Sequence, residues 1–554
     1  MLRIAGKHHH VNSHPLPSEI KMKKEFFKSI KENVMKKIIL LTFIPILLFA
    51  GGVSFNGRLN LDYTLRPERK DSINPSSTFR VNLSGGINFY GINAGINLFF
   101  NSDDKFTPQT SSFYSLTPAW SWGRIYIGDF APSFSNLTLS GVSIRGGGLE
   151  LFPGPFKLFV VSGESKRSVN DSTGNGFTKY IWGIKLGLGR KTGTSIAILN
   201  ARDIPSSLPD SLRDGMTPEE NWVAELQQKV SLFKGRFTIL MDGALSLLTR
   251  NIYATPISDN NIPDWAASNF NVNLSSNSDY AYRIESRLRT HRFSLNFAHA
   301  YIGPGFESHG LPGINNDRIE EKAGINISLG RYGSMGANGS YSHDNLIDLN
   351  EAETRNTVGN FFLTLVPSRI LVLTSYTMLS KMDRNSSQND TLELTNTSVS
   401  TSVSTNLRLS KKINAGISAS LSNTEVQTVI KNTEARVVSF NARINHKFSR
   451  IFSYSLTGGV VKTTSDTLEE TSITPGVNFS FTPGRKFRLR VGVRSGISEN
   501  KTMVSFSARS VLKLTPKDAI SIKVTSENYI KPESNPNSLT IKLSYGRGFG
   551  KRIF

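Results

Sequence analysis

Apolar and polar residues alternate in segment after segment from residue 53 to the C-terminus, and this alternation restricts the fold more than any other feature of the chain. In an extended strand successive side chains point to opposite faces, so each segment has one apolar face and one polar face. Residues 485–497, RKFRLRVGVRSGI, show the pattern clearly, with Val491 on the apolar face and Arg490 on the polar face. Since no helical period competes with this pattern, we predict an all-β fold.

Two architectures fit strands of this kind: a soluble sandwich, or a membrane barrel with lipid outside and a wet lumen inside. The connections favour the barrel, because short turns alternate with long polar connections, as periplasmic turns and extracellular loops do in outer-membrane barrels. The short turns are at 90–91, 190–193, 234–235, 290–291, 330–333, 367–368, 410–412, 449–450, 483–485 and 515–517. The long connections are at 101–118, 165–177, 202–219, 250–279, 303–317, 343–356, 381–391, 423–433 and 463–470.

The strand count follows from this segmentation. With both termini on the short-turn side, the segments form a transmembrane antiparallel up-and-down β-barrel of about 26 strands, an even number as in bacterial single-chain barrels. The pair 137–144 and 149–152, separated by the sequence RGGG, leaves the count open. If this pair is an inserted hairpin, the count falls to about 24, so we expect about 24–26 strands, closed so that no strand edge is exposed.

The N-terminal region has the sequence pattern of an export signal. Residues 35–52, MKKIILLTFIPILLFAGG, combine two lysines, a short apolar run and small residues, which is the form of a secretory signal peptide. No later segment approaches the ~20 apolar residues that a spanning helix needs. Residues 1–34 precede this signal, so either translation starts at Met35 or the signal has a long basic N-terminal region. We expect residues 53–554 to form a single barrel.

The chain is basic, with a formal net charge of +22, and it contains no cysteine. Residues 1–52 hold nine Lys and Arg and three Asp and Glu, so the remaining chain keeps a net charge of +16. A nucleic-acid-binding protein of this charge needs clustered basic residues within a recognisable motif, and the export signal also argues against nucleic acid as a partner. Without cysteine there are no disulfides and no thiolate metal sites.

The signal, the asymmetric connections and the last strand together resemble a Gram-negative outer-membrane β-barrel protein over residues 53–554. The last strand, LTIKLSYGRGFGKRIF, resembles the aromatic-ended strand by which such proteins are recognised for assembly, with Tyr545, Phe549 and Phe554 as the signal. Phe549 and Phe554 have opposite parity, which leaves open which of the two phenylalanines is recognised for assembly. The resemblance implies a location in the cell outer membrane, with outer-membrane lipid and the barrel-assembly machinery as partners.

Basic residues recur on the polar face of several strands, where a barrel would place them around its lumen. Such residues raise the local concentration of anions and favour anionic solutes. Alternatively, the charges only keep this face wet, or they pair with acidic loop residues that fold inward. The candidates for lumen-lining basic residues are Arg283, Arg287, Arg289, Arg443, Lys447, Lys486, Arg488, Arg490, Arg494 and Lys542.

Residues 118–156 interrupt the alternation with glycines, prolines and a lone arginine, Arg145, before the RGGG glycines. One interpretation is a constriction of the lumen in which Arg145 faces the solute. A second is a likeness to the arginine-glycine turn of the two-partner secretion and assembly barrels. A third is that the glycines only permit bulges and tight hairpins.

No histidine of the exported region pairs with a serine or carboxylate as in an outer-membrane hydrolase, and no phosphate-binding loop, calcium loop or Cys/His metal spacing occurs. We therefore expect no enzymatic activity, no cofactor and no metal. The leading hypothesis is a channel for passive or substrate-selective transport of small solutes, including anions. The alternative is a platform for secretion, surface assembly or adhesion, whose lumen is plugged by its own loops or by an unknown envelope partner.

Overall fold

The computed structural model describes residues 53–67, 76–103, 111–171, 174–213, 215–257, 270–386, 393–466, 468–499, 501–531 and 538–553. The expected extension at 1–34, the expected signal peptide at 35–52 and Phe554 lie outside the described residues. Most of the described chain consists of strands. They are β1 (Val53–Leu65), β2 (Ser77–Phe89), β3 (Ile92–Asn101), β4 (Phe113–Trp120), β5 (Gly123–Phe130), β6 (Ile144–Leu151), β7 (Phe156–Lys166), β8 (Val169–Asp171), β9 (Gly174–Gly176), β10 (Thr178–Gly189), β11 (Gly193–Ile204), β12 (Glu220–Leu232), β13 (Phe237–Thr249), β14 (Ser276–Arg289), β15 (Phe293–Ile302), β16 (Arg318–Ser328), β17 (Gly333–Asp344), β18 (Ala352–Leu365), β19 (Leu371–Ser386), β20 (Leu394–Arg408), β21 (Ile413–Thr428), β22 (Asn432–His446), β23 (Phe452–Ser465), β24 (Leu468–Ile473), β25 (Gly476–Phe481), β26 (Phe487–Ile497), β27 (Thr502–Lys513), β28 (Asp518–Lys531) and β29 (Ser538–Ile553).

The strands form a closed antiparallel barrel. Each wall strand pairs with its neighbours along the chain, and β29 pairs with β1, which closes the sheet. β24 and β25 both lie between β23 and β26 and are two halves of one wall strand, whereas β8 and β9 form a separate hairpin. The wall therefore has 26 strands, and the expected all-β, up-and-down barrel is confirmed.

The two ends of the barrel differ in their connections. At one end the strands are joined by only two to five residues, and β1 begins and β29 ends there. Every short turn expected from the sequence lies at this end, together with two that the sequence did not mark, at 121–122 and 152–155. The opposite end carries the longer connections, including 250–275 and 303–317.

Two of the expected long connections are wrong. Between β21 and β22 only residues 429–431 lie outside a strand, and β24 begins at Leu468, three residues after β23 ends at Ser465. The polar stretches at 423–433 and 463–470 were expected to be loops, but the strands continue into them. β21 and β22 are accordingly long, at 16 and 15 residues.

The expected strand at 137–144 is also wrong. Residues 131–143, between β5 and β6, form neither a strand nor a helix. β6 begins at Ile144, runs through the RGGG glycines and ends at Leu151, so residues 149–152 do not start a separate strand. Because residues 131–143 pack against inward-facing side chains of the wall, we call them the inner segment.

The barrel closes where β1 meets β29, and aromatic side chains mark this seam. Phe549 is paired with Gly57 across the seam, and Tyr545 is paired with Leu61. The Phe549 ring occupies the space that a β-carbon at Gly57 would need, and it stacks on Phe55 with ring centroids 5.0 Å apart. Only glycine leaves room for this ring. Tyr545 and Phe549 thus belong to the closing contact, and their recognition by the barrel-assembly machinery stays a prediction.

The outward face of the wall is apolar. In β10 the side chains of Tyr180, Trp182, Leu186 and Leu188 point outward and are exposed, whereas Ile181 points inward and is fully buried. The same alternation continues around the barrel. Among the described residues, no helix is long and apolar enough to cross a membrane.

The buried apolar cluster lies inside the barrel. It joins the inner segment and residues 303–317, which we call the inner loop, to the inward faces of β5–β7 and β10–β14. Several of the wall positions beneath it are alanines, which leave space for the larger side chains of the inner segment. The cluster consists of Phe134, Leu137, Leu139 and Val142 of the inner segment, Phe306 of the inner loop, and the wall residues Phe130, Ile144, Val161, Ile181, Ala197, Leu199, Ala201, Val223, Ala244 and Ala281.

Candidate functional site

The inner wall of the barrel has two sides that differ in what covers them. On the filled side, β5–β7 and β10–β15, the inner segment and the inner loop pack against the wall. On the open side, β20–β29, the inward side chains are polar and many of them are exposed to the lumen. Serine, threonine and asparagine dominate the inward positions of β20–β23, whereas arginine and lysine are frequent on β26–β29.

Buried polar groups hold the inner segment on the filled side. Glu225 of β12 is only 4% exposed, and its carboxylate accepts hydrogen bonds from Ser135 Oγ, at 2.6 Å, and from the Thr138 hydroxyl. The Lys185 ammonium of β10 donates to the carbonyl oxygen of Phe134. One carboxylate and one ammonium of the wall thus fix the inner segment by charge-assisted hydrogen bonds, which are stronger than neutral ones.

The inner loop is attached to the same part of the wall and to the inner segment. The fully buried Asn221 side chain donates to the Glu307 carbonyl oxygen and accepts from the His309 amide, each at 3.0 Å. Ser308 Oγ donates to the Thr138 carbonyl oxygen at 2.6 Å, which links the two inner pieces. The inner segment and the inner loop therefore form one packed unit inside the barrel.

His309 of the inner loop lies among charged groups. Lys179 Nζ is 3.0 Å from His309 Nδ1, and Glu219 Oε2 is 3.5 Å from His309 Nε2. Lys179 Nζ also lies 3.6 Å from carboxylate oxygens of both Asp203 and Glu219. Burial, and secondarily the Lys179 ammonium, lowers the pKa of His309 to about 3. A neutral His309 accepts a hydrogen bond from Lys179 and directs its Nε2 proton toward Glu219.

The basic residues of β14 lie on the filled side of the wall. Arg283, Arg287 and Arg289 have the parity of Ala281, which is buried in the apolar cluster, so all three point inward. Arg283 forms an ion pair with Glu285 on the same strand. Arg287 and Arg289 follow toward the short-turn end and are exposed.

Four cations on the open side form a continuous line across neighbouring strands. Arg490 of β26 is directly paired with Arg509 of β27, Arg509 with Lys523 of β28, and Lys523 with Lys542 of β29. We call these four residues the cation row. Lys542 Nζ lies 3.4 Å from Asp62 Oδ2, but within the described residues Arg490, Arg509 and Lys523 form no ion pair. Like charges directly opposite each other destabilise a sheet, so the row imposes an energetic cost.

The other basic candidates of the open side lie near the row. Arg443 and Arg494 have inward parity and both border one hollow of the wall, while Arg488 points inward two positions before Arg490. Lys447 and Lys486 lie in short turns, at the mouth of the barrel. The candidates from the sequence did not include Arg509, Lys513 or Lys523, although their polar-face parity in β27 and β28 is the same signal that identified the others.

Arg145 is not part of an inner constriction. It is paired with Asp129 of β5, and both residues share the outward parity of Ile127, which is 50% exposed. Its guanidinium makes two hydrogen bonds to the Asp129 carboxylate, at 2.6 and 2.9 Å, and lies over the Tyr114 ring. The neighbouring Ile144 faces inward because it packs in the apolar cluster, and this places Arg145 on the outer face.

No protein-family model matches the chain, and no curated protein matches it. The siderophore receptor PirA from Pseudomonas aeruginosa aligns with 89% of this chain and 80% of its own, at 9% identity and a TM-score of 0.41. The ferric enterobactin receptor PfeA from Pseudomonas aeruginosa, in its G324V mutant, aligns with 90% and 81%, at 8% identity and a TM-score of 0.42.

A third solved structure, the E. coli P pilus tip assembly intermediate PapC-PapD-PapK-PapG, has a chain that aligns with 89% of this chain and 60% of its own, at 11% identity and a TM-score of 0.40. Similarities of this size are limited to the barrel fold and assign no function. The fold itself is the one that the resemblance to Gram-negative outer-membrane β-barrels predicts, a closed antiparallel wall of 26 strands with an apolar outer face.

Proposed function

We propose that this chain is a channel of the Gram-negative outer membrane that passes small solutes and prefers anions. In this proposal the signal peptide at 35–52 directs export, and the barrel-assembly machinery inserts the barrel into the outer membrane. The observation that carries the proposal is the cation row, in which Arg490, Arg509 and Lys523 point inward and form no ion pair within the described residues, on a side of the wall that is exposed to the lumen.

The outer face supports the membrane location. The outward positions of β23 are apolar or glycine from Phe452 to Val460, apart from the hydroxyl of Tyr454. This length is close to the roughly 9–11 residues with which a tilted strand crosses a bilayer. At the next outward position Lys462 Nζ is 2.6 Å from Glu469 Oε1, so charged groups begin where the apolar belt ends.

The preference for anions follows from electrostatics. Cations that line a narrow, water-filled passage with low-dielectric walls raise the local concentration of anions and lower that of cations. On the filled side, by contrast, Lys179 and Arg283 lie beside carboxylates, which cancel most of their field. The net field in the lumen should therefore come mainly from the open side, with a further contribution from Arg287 and Arg289 near the short-turn end of β14.

Reversal potentials in planar bilayers test the proposal. With a KCl gradient across the membrane, the purified barrel should conduct with a potential shifted toward that of chloride. The triple variant Arg490→Gln, Arg509→Gln, Lys523→Gln should lose most of this shift. The matched control removes three exposed cations from short turns, Arg369, Lys411 and Arg450, and should change the potential much less. Equal shifts in the two triple variants would contradict the assignment of selectivity to the cation row.

A location test can use the absence of cysteine from the chain. Single cysteines at Asp348, near the long-connection end, and at Tyr332, in a short turn, report the orientation. A membrane-impermeant maleimide should label Asp348→Cys but not Tyr332→Cys in intact cells, and the protein should fractionate with the outer membrane. Labelling of the Tyr332 position alone would reverse the orientation, and recovery in the soluble periplasm would exclude the membrane location.

A platform with a plugged lumen is a second candidate, which the packed inner segment and inner loop favour. The two functions differ in conductance. A platform should not conduct in its wild-type form, and a variant lacking residues 134–142 should then open a pore. A channel should conduct in its wild-type form, and the same deletion should only increase the conductance.

A further inference from the structure

A hollow in the open side of the wall combines features of a ligand-binding site. It lies on the inner face of β23 and β25–β27 and has a volume of about 340 Å³. This volume is within the range of small-molecule pockets. Two inward glycines, Gly476 and Gly492, form its floor. The lining residues with polar side chains are Thr457, Asn478, Arg494, Ser505 and Ser507.

The hollow exists because its floor has no side chains. A β-carbon at Gly492 would run into Asn478 Oδ1 and lie 3.0 Å from Ser507 Oγ, and one at Gly476 would lie 2.7 Å from Thr457 Oγ1. Amide and hydroxyl groups of the neighbouring strands therefore lie close to the glycines, and these hydrogen-bonding groups surround a concave floor. Such groups can bind the hydroxyls or the anionic oxygens of a solute.

Cations border the hollow on two opposite edges. On one edge Arg494 is shared with an adjoining hollow of about 370 Å³, which Arg443 also lines. The strand register aligns four residues across the wall. Arg443 of β22 pairs with Thr457 of β23, Thr457 pairs with Gly476 of β25, and Gly476 pairs with Arg494 of β26. On the other edge lies the cation row. Arg490 and Arg494 are four residues apart on β26, which corresponds to about 13 Å along a strand.

The cations on both edges lack compensation. No ion pair of Arg443, Arg490, Arg494 or Arg509 occurs within the part of the chain that the structure describes, and Arg490 and Arg509 face each other directly. An oxyanion on each edge would remove this repulsion and form charge-assisted hydrogen bonds with guanidinium groups. Between the two edges, the floor offers only neutral hydrogen-bonding groups. The site thus favours a ligand that is charged at both ends and polar in the middle.

We propose that the hollow binds a small polyhydroxy solute with two anionic groups, of the class of sugar bisphosphates. Arg494 and Arg443 bind one anionic group, Arg490 and Arg509 bind the other, and Asn478, Ser505 and Ser507 bind the hydroxyls between them. The inference rests on the proposed function in one respect, that the lumen admits such a solute. It goes beyond that function because it assigns a specific binding site and a ligand class.

Isothermal titration calorimetry on the purified full-length barrel in detergent tests the inference independently of conduction. The probes are glucose 1,6-bisphosphate, glucose 6-phosphate, glucose and inorganic phosphate. Glucose 1,6-bisphosphate should bind at least about tenfold more tightly than glucose 6-phosphate, since a second charge-assisted contact is gained. Glucose should show no binding. Equal affinities for inorganic phosphate and for the bisphosphate would overturn the inference, because general attraction to a cationic wall would then explain the binding.

Two variants and one control make the test specific. Arg494→Gln should weaken bisphosphate binding by about tenfold to a hundredfold. Gly492→Ala places a methyl group on the floor and should also weaken binding, and Arg494→Gln keeps the test valid if Gly492→Ala does not fold. Arg450→Gln removes an exposed cation in a short turn and should bind like the wild type. An unchanged affinity in Arg494→Gln would overturn the site.

Conductance of the same preparations separates the two proposals. Bisphosphate binding in a barrel that does not conduct would contradict the proposed channel and leave the binding site in place. Conduction with chloride preference but without bisphosphate binding would contradict the binding site and leave the channel in place.

Discussion

The filled and open sides of the lumen wall treat charged side chains in opposite ways. On the filled side Lys179 lies within 3.6 Å of two carboxylates, and the buried Lys185 ammonium donates to the carbonyl oxygen of Phe134. On the open side Arg490 and Arg509 face each other without a carboxylate. A charge that is removed from water needs a partner, whereas a charge in water can remain unpaired at a small cost. The difference indicates that the filled side is a protein interior and the open side is a wetted surface.

This contrast also limits what each side can do. Around the inner segment and the inner loop, the buried polar groups of the filled side hold these two pieces, so few remain there for a solute. The open side has unengaged cations and exposed hydroxyls, which are the groups that a passing anion can contact. Function as a channel should therefore depend on the open side, and the retention of the inner pieces should depend on the filled side.

The largest expected effect is on the filled side. Glu225→Leu removes the acceptor for the Ser135 and Thr138 hydroxyls. Hydrogen bonds to charged groups contribute about 1.5–3 kcal/mol each, and this variant removes two of them. The free energy of docking of the inner segment onto the wall should fall by this amount. Hydrogen exchange of the backbone amides of residues 131–143 in the intact barrel would measure the loss.

A matched change on the open side provides the control. Glu527→Leu removes an exposed inward carboxylate that forms no ion pair within the described residues. Surface changes of this kind usually stay within about 0.5 kcal/mol. Equal losses of protection in Glu225→Leu and Glu527→Leu would remove the distinction between the two sides.

The second effect concerns the two faces of a single strand on the open side. Val491 points outward and Arg490 points inward, so a charged side chain should be tolerated at position 490 and not at position 491. Val491→Arg should cost roughly 2–4 kcal/mol if its side chain meets lipid near the midplane. Arg490→Glu should leave folding nearly unchanged. Heat-modifiability on gels and refolding titrations would measure both, and equal folding defects would contradict the assignment of lipid and lumen faces.

The faces of the open side could be predicted from the sequence, as could those of β14 on the filled side, whereas the face of Arg145 could not. Alternation assigns Val491 and Arg490 correctly because one face meets water and the other is apolar. On the filled side the inner segment makes the inward face apolar as well, so Ile144 and Ile181 point inward although they are apolar. The interpretation in which Arg145 faces the solute in the lumen is wrong for this reason. Residues 131–143 have no period that would predict where they pack.

Strand register is a second feature that could not be predicted from the sequence. The parity of Arg509 and Lys523 can be read from their strands, but their alignment with Arg490 and Lys542 depends on the pairing of four strands. Register is fixed by turn geometry and by the packing of whole faces, which a single strand does not reveal. The sequence therefore predicts an inner face rich in cations, but it does not predict a continuous row.

The third effect is a pH dependence of the filled side. The pKa of His309 is about 3 in the folded protein, mainly because the ring is buried, against 6.5 for an unperturbed histidine. The unfolded or undocked loop therefore binds a proton between these values and the docked loop does not. Docking should be fully stable above about pH 6.5 and should weaken by up to roughly 1.4 kcal/mol per pH unit as the pH falls toward 3.

Protease accessibility of the inner loop at pH 7 and pH 5 would measure this effect. Accessibility of residues 303–317 should rise at pH 5 in the wild type and should rise less in His309→Gln, which cannot be protonated. The open side provides an internal reference, because residues 498–501 connect two of its strands and have no histidine nearby in sequence. A rise of the same size at both places would contradict the role of His309.

The smallest expected effect has the opposite sign and lies in the cation row. Arg509 is directly paired with Arg490 on one side and with Lys523 on the other. Arg509→Gln removes both like-charge contacts and keeps a polar side chain of similar length on the inner face. Opposed like charges on neighbouring strands destabilise by amounts of about 0.2–1 kcal/mol, so this variant should be slightly more stable than the wild type, most clearly at low salt. The same neutral substitution at Lys185 removes a cation from the filled side and should destabilise instead. Denaturant titrations of the two variants at low and high ionic strength would measure both signs, and a loss of stability in Arg509→Gln would mean that the row is compensated by groups within the barrel and is not available to anions.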